Sequence, residues 1–254
     1  MGKKLSLTSK ICLAAILMVL ATICQKVLAV NYIPIVPFLR ISFGGPAIIM
    51  FSSILLGPWF GLLVGLGSDV LGYFIFDPKN NAFFPQITVI YALLGFASFF
   101  VFLFVKKLIG DKVIKFVLPS FIGLSLIGIN LALWLSPSLT LYGTTYVLEM
   151  WQKAILTGGL IICTALLLVF IYLYARKNND IDVYQVSFSL LIIEILIMVI
   201  FGTLMKGIAF GFATYPVILL CQLIVLFINV PLNTMLISLL TKIIKKKNIY
   251  CPIL

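Results

Sequence analysis

The sequence predicts an all-α, polytopic membrane protein: a transmembrane helical bundle of about eight spans with both termini cytoplasmic. Three observations carry that expectation. Of 254 residues, 63% are hydrophobic and only 10% charged, whereas a soluble domain is about half apolar and about a quarter charged. The apolar runs are continuous and of helix length, not the short alternating runs of a transmembrane barrel. The basic residues cluster in the segments between alternate runs, as the positive-inside rule demands.

Eight spans follow in order: 11–30, 42–56, 58–76, 84–105, 113–135, 146–175, 184–205 and 212–241. The first, after MGKK, resembles a signal peptide in outline. Lys26 follows the apolar run and no small-x-small cleavage site appears, so it is expected to stay as a membrane helix. The second span would reach only about 22 Å, short of a hydrocarbon core about 30 Å thick. Gly57-Pro58 ends it, so spans two and three are expected to meet in a turn at membrane depth, covered by protein. Spans three and four flank a polar, aromatic junction. The last four form two hairpins, 113–177 and 184–247, each with an outer loop and a basic closing segment, which suggests an internal repeat. The whole chain, 1–254, reads as one integral membrane domain.

With the N-terminus inside, thirteen of the eighteen Lys and Arg residues fall on the cytoplasmic side and five on the outer side. The net charge of +11 is therefore read as orientation and contact with anionic lipid, not as a nucleic-acid footprint. There is no histidine, and the five cysteines form no CxxC pair. No GxxxxGK[ST] loop and no HExxH motif is present, and Gly65-Leu-Gly67 with Gly72 lacks dinucleotide-loop spacing. No catalytic residue, metal site or cofactor is expected, and the chain is not read as an enzyme.

Asp69 is the anomaly. It lies in GPWFGLLVGLGSDVLGY, with Gly57, Gly61, Gly65, Gly72 and Tyr73 along the same helical stripe. Such a stripe lets a second helix approach closely, so Asp69 is placed on a packed face and not in lipid. A charge at that depth costs several kcal/mol unless paired or hydrated. Two readings fit: a structural tie to Arg40 or a nearby hydroxyl, and a ligand contact in a cavity open to the outside. Other polar and aromatic residues gather toward the same side. They include Arg40, Ser42, Tyr73, Phe84, Gln86, Trp134, Trp151 and Lys153. Singly, each fits an interfacial belt. Together they offer cations for carboxylates and ring faces for stacking, which suits a small, flat, anionic ligand. Glu194, within span seven, fits both a proton site and a packing partner.

The order of motifs resembles the substrate-binding (S) component of energy-coupling factor (ECF) vitamin transporters, most closely the folate type. The resemblance rests on Arg40, Ser42 and Phe43; on Leu56, Gly57 and Pro58; on Asp69, Gly72 and Tyr73; and on Phe84, Pro85 and Thr88. It is strongest over 11–105. It implies a membrane receptor that takes a vitamin from outside the cell. It also implies docking on a shared transmembrane scaffold subunit with two separate ABC ATPase subunits, which explains the missing phosphate loop. Two spans exceed the usual six-helix core, consistent with an added hairpin. For a folate, Arg40 and Lys153 would meet glutamyl carboxylates, Asp69 the pterin donors, and the aromatic residues would stack. Two rival readings are a stand-alone proton-coupled carrier running on Asp69, Glu149 and Glu194, and a membrane scaffold that binds no small molecule.

Overall fold

Lipid offers no hydrogen bonds, so each spanning segment must close its own, and the helix is the single-segment solution. The computed structural model describes residues 5–29, 44–76, 83–135, 139–141, 144–147, 149–177, 183–211 and 215–246. The helices are α1 (Leu7–Lys26), α2 (Gly45–Leu56), α3 (Pro58–Phe76), α4 (Pro85–Leu108), α5 (Asp111–Leu135) and α6 (Met150–Lys177). Then come α7 (Val183–Ile193), a π-helical segment (Glu194–Phe201), α8 (Gly202–Phe210) and α9 (Tyr215–Lys246). The segment α7–π–α8 runs on as a single apolar span, so among the described residues seven helices are long and apolar enough to cross a membrane, and α2 is a shorter apolar helix. The chain is thus a multi-pass, all-α bundle. One small exception interrupts the loop between α5 and α6. Strands Leu139–Leu141 and Thr144–Tyr146 pair antiparallel, with Thr140 opposite Thr145.

The expected break between spans two and three is present. All twelve residues of α2 are buried, because α1, α3, α4 and α9 surround it. A helix apolar on every side has no need of a lipid face. Gly57 turns the chain at φ +104°, a backbone conformation that side-chain-bearing residues rarely adopt. Its N–H donates to Ser53 O at 2.9 Å and its carbonyl accepts from Gly61 N–H at 3.0 Å. Both backbone groups at the break are therefore satisfied, which is what makes a turn tolerable at this depth.

The glycine stripe of α3 serves two neighbours. At Gly61 an added Cβ would lie 2.5 Å from the carbonyl oxygen of Gly95 in α4. Added carbons at Gly65 and Gly95 would collide with the backbone carbonyls of Tyr91 and Gly61. The α3 and α4 backbones thus touch directly, as small-residue helix interfaces allow. Gly67 and Gly72 face α1 instead, against Met18 and the aliphatic stem of Lys26. Thr22 of α1 donates to Ser68 O across that contact at 3.1 Å, so α1 and α3 run parallel with close register.

The remaining helices form a second group. α7 and α9 pack together, α4 meets α7 and α8, and α5 and α6 pack on α7 and α9. Lys115 near the start of α5 stands 5.5 Å from the ring centre of Tyr184 at the start of α7. The start of α1, the end of α4, the start of α5 and the end of α6 lie at this same end of the bundle. It carries Lys10, Lys106, Lys107, Lys115 and Arg176.

The α3–α4 contact predicts unequal glycine sensitivity. Gly65→Leu or Gly95→Leu should destabilise the protein by about 1–3 kcal/mol or more through overpacking. Gly158→Leu in α6, where an added carbon meets nothing within 4 Å, should stay within about 0.5 kcal/mol. Thermal unfolding in detergent measures both.

Candidate functional site

At the end of the bundle opposite the basic residues, α3 finishes and α4 begins. Backbone contact between them aligns Asp69 with the first turn of α4. Asp69 is 8% exposed, and Thr88 Oγ1 donates to its Oδ2 at 2.6 Å. The Thr88 hydroxyl thus gives the buried carboxyl the hydrogen-bond partner that a polar group away from water needs. Both residues belong to the motif segments singled out above, nineteen positions apart in sequence. Tyr73, one turn beyond Asp69, is half-buried and packs on Phe83 with ring centres 5.0 Å apart. Phe84 caps the N-terminus of α4, and Pro85 opens that helix where no N–H is needed. Gln86 follows, its Oε1 buried and without a hydrogen bond among the described residues. The stem of Lys26 crosses Gly72, three residues from Asp69 on α3. A carboxylate, a hydroxyl, an ammonium group and three aromatic rings thus share one end of α1, α3 and α4.

Trp134, Trp151 and Lys153 form a separate cluster on α5 and α6. Lys153 is only 9% exposed, and its ammonium donates to Trp134 O at 3.5 Å. Trp134 Nε1 donates to Thr157 Oγ1 at 3.1 Å, and the indole is about half exposed. Trp151 Nε1 donates to Glu149 Oε2, while the Glu149 backbone N–H donates to Gln152 Oε1 at 2.9 Å. This cluster sits at the same end of the bundle as Asp69. Among the described residues, however, α5 and α6 make no contact with α3 or α4. The single pocket expected from sequence is therefore divided between two helix groups. Arg40 and Ser42, and with them the expected Arg40–Asp69 pairing, lie outside the described residues.

Two polar groups escaped sequence reasoning. Lys26 was placed as an outer-side cation, and only the α1–α3 register brings it over Gly72. Asn233 carried no expectation at all. Its Nδ2 donates to Glu194 Oε1 at 2.8 Å deep in the second helix group. No group of three or more His, Cys, Asp or Glu side chains gathers to hold a metal among the described residues. Cys12, Cys24, Cys163 and Cys221 are free thiols.

No protein-family model matches the chain, and no curated protein or solved structure matches it either. The functional reading therefore rests on the site itself.

The Asp69–Thr88 bond is open to a double-mutant cycle. Thr88→Val should destabilise the protein by about 1–3 kcal/mol, because it strips a buried acceptor of its donor. In an Asp69→Asn background the same change should cost less, giving a coupling of about 0.5–3 kcal/mol by chemical or thermal unfolding.

Proposed function

We propose that the chain is the substrate-specificity subunit of an ECF-type ABC transporter. It binds a small vitamin, a folate or a related compound, from outside the cell for ATP-driven uptake. The observation that supports this best is the meeting of Asp69 with Thr88 beside Tyr73, Phe83 and Phe84. Two motif segments on which the resemblance rests converge in space on one buried carboxylate.

The chemistry of that end suits a flat, donor-rich ring bearing acidic groups. Asp69 accepts from ring N–H donors through the lone pairs that Thr88 leaves open. Tyr73 and Phe84 offer ring faces. Lys26 provides a cation for carboxylates, whereas Lys153, Trp134 and Trp151 stand on the separate α5–α6 pair and Arg40 lies outside the described residues. Gln86, with its buried Oε1, adds a polar contact. By the positive-inside rule the end bearing Lys106, Lys107 and Arg176 is cytoplasmic, so Asp69 faces outward and both termini face inward. The scaffold subunit and two ABC ATPase subunits would supply the energy.

The proton-carrier alternative needs Asp69, Glu149 and Glu194 to relay protons. The three bond to different partners: Thr88, the Trp151 indole and Asn233, respectively. Among the described residues, the helix carrying Asp69 makes no contact with the one carrying Glu194. That separation favours the receptor reading.

The experiment is purification in detergent, mass spectrometry of retained small molecules, and titration with folates. The expected result is binding below micromolar levels. Asp69→Asn should weaken it about tenfold or more, since a hydrogen bond to a charged group is worth about 1.5–3 kcal/mol. Uptake in vesicles should require ATP and the partner chains. Retention of a different vitamin would replace the folate assignment. Copurification of proteins alone, with no small molecule, would favour the scaffold reading, and uptake driven by a proton gradient without ATPases would favour the carrier.

A further inference from the structure

In a bilayer an exposed apolar residue needs no explanation, but a recess between helices does, because side chains that line a gap forfeit dispersion contacts. One such recess lies where α5, α7 and α9 meet. It is a groove of about 260 Å³ whose walls include Phe121, Ile122 and Ser125 of α5, Leu191 of α7, and Phe227 and Val230 of α9. Ile122, Leu191, Phe227 and Val230 are only 2–5% exposed, so the groove cuts between helices and is not part of the open lipid face. Its one polar wall residue, Ser125, donates its hydroxyl to Phe121 O at 2.8 Å, which leaves the groove a surface of carbon. Pro119 of α5 and Pro231 of α9 each remove a backbone donor close to it. Helices bend at such points, so these two have a local reason to part at this level.

The groove stands at a definite depth below the basic end. Lys115, Leu118, Ile122, Ser125 and Ile129 recur at steps of three and four and share one face of α5. Tyr184 and Leu191 stand two turns apart on one face of α7. Lys115 Nζ lies 5.5 Å from the centre of the Tyr184 ring, so one α5–α7 seam carries a cation at its mouth and the groove deeper in. From Lys115 to Ile122 and Ser125 is about 10–15 Å along the helix. Half of a hydrocarbon core about 30 Å thick is about 15 Å. A lipid whose headgroup stands beside Lys115 therefore carries its acyl chain down to the groove. Residues 106–115 hold four lysines against one acid, Asp111, so the headgroup favoured there is anionic.

We infer that this groove seats one acyl chain of an anionic phospholipid from the leaflet at the basic end, with the lipid phosphate on Lys115. Its volume falls below the roughly 300–1,000 Å³ of ordinary small-molecule pockets. Walls of carbon give a polar ligand nothing to bond, so a single hydrocarbon chain is the guest that fits. The chain supplies the apolar contact, and Lys115 selects the headgroup. The groove lies on helices other than that of Asp69 and stands independently of the vitamin-receptor reading.

The test is native mass spectrometry of the full-length protein in detergent, titrated separately with phosphatidylglycerol and with phosphatidylcholine of the same chains. The first phosphatidylglycerol should bind about fivefold more tightly than the first phosphatidylcholine, the equivalent of about 1 kcal/mol for one lysine. Lys115→Gln should remove that preference. Ser125→Phe, which sets a ring in the groove, should weaken the first binding of both lipids. Leu124→Phe, on the open face of α5, should change neither. Should Ser125→Phe fail to fold, Lys115→Gln at its exposed position still decides the matter. Equal binding of the two lipids, a preference that survives Lys115→Gln, or unchanged binding in a folded Ser125→Phe would overturn the inference. Competition by glycerol phosphate, a headgroup without a chain, would overturn it too, because the site would then take a free anion.

Discussion

The direct contact between the backbones of α3 and α4 is the constraint on which the rest of the molecule depends. Gly61, Gly65 and Gly95 carry no side chains, so carbonyl oxygens of one helix lie where side chains of the other would stand. In lipid no hydrophobic force drives two apolar helices together, and close packing with interhelical hydrogen bonds must do it. The glycines supply the first and Thr88 on Asp69 supplies the second. The same register sets Tyr73 against Phe83 and opens α4 at Pro85. A shift of one residue between the helices would aim Asp69 away from Thr88 and toward lipid, where a carboxylate is costly.

The bundle divides its polar chemistry between two places, and they differ in kind. The end of α1, α3 and α4 combines charge with aromatic rings near a helix terminus, the combination that recognises flat polar molecules. The interior of α7, π, α8 and α9 holds one carboxylate, Glu194, bonded by the Asn233 amide. α2 lies between these groups, touching both α3 and α9, with every residue buried. Its shortness is what allows it to be an internal wedge and not a lipid-facing span.

Much of this was legible in the sequence. Hydropathy gave the all-α class and the spans to within a few residues, and the length of 42–56 with Gly57-Pro58 gave the buried turn. The glycine stripe correctly placed Asp69 on a packed face, because periodicity alone determines which residues share a face. What periodicity does not determine is which helix occupies that face. Hence Thr88 stands out in the sequence as a motif residue but not as the carboxylate's partner, and Lys26 only as an outer-side cation. The π segment left no compositional trace in EILIMVIF, since its residues are as apolar as any α-helical run. Asn233 was overlooked because a lone amide in an apolar span carries no period. Sequence also grouped Trp134, Trp151 and Lys153, on its fifth and sixth spans, with Asp69 as residues of one membrane side, because hydropathy does not say which helices those spans touch.

The account's central claim is that the polar end of α3 opens to the outside of the cell and receives a ligand there. Cysteine substituted at Tyr73, in a background without the native cysteines, tests it through labelling by a membrane-impermeant maleimide in intact cells. The account predicts labelling from outside that a bound vitamin slows. Labelling only in inverted vesicles, or only by a lipid-soluble maleimide, would contradict it.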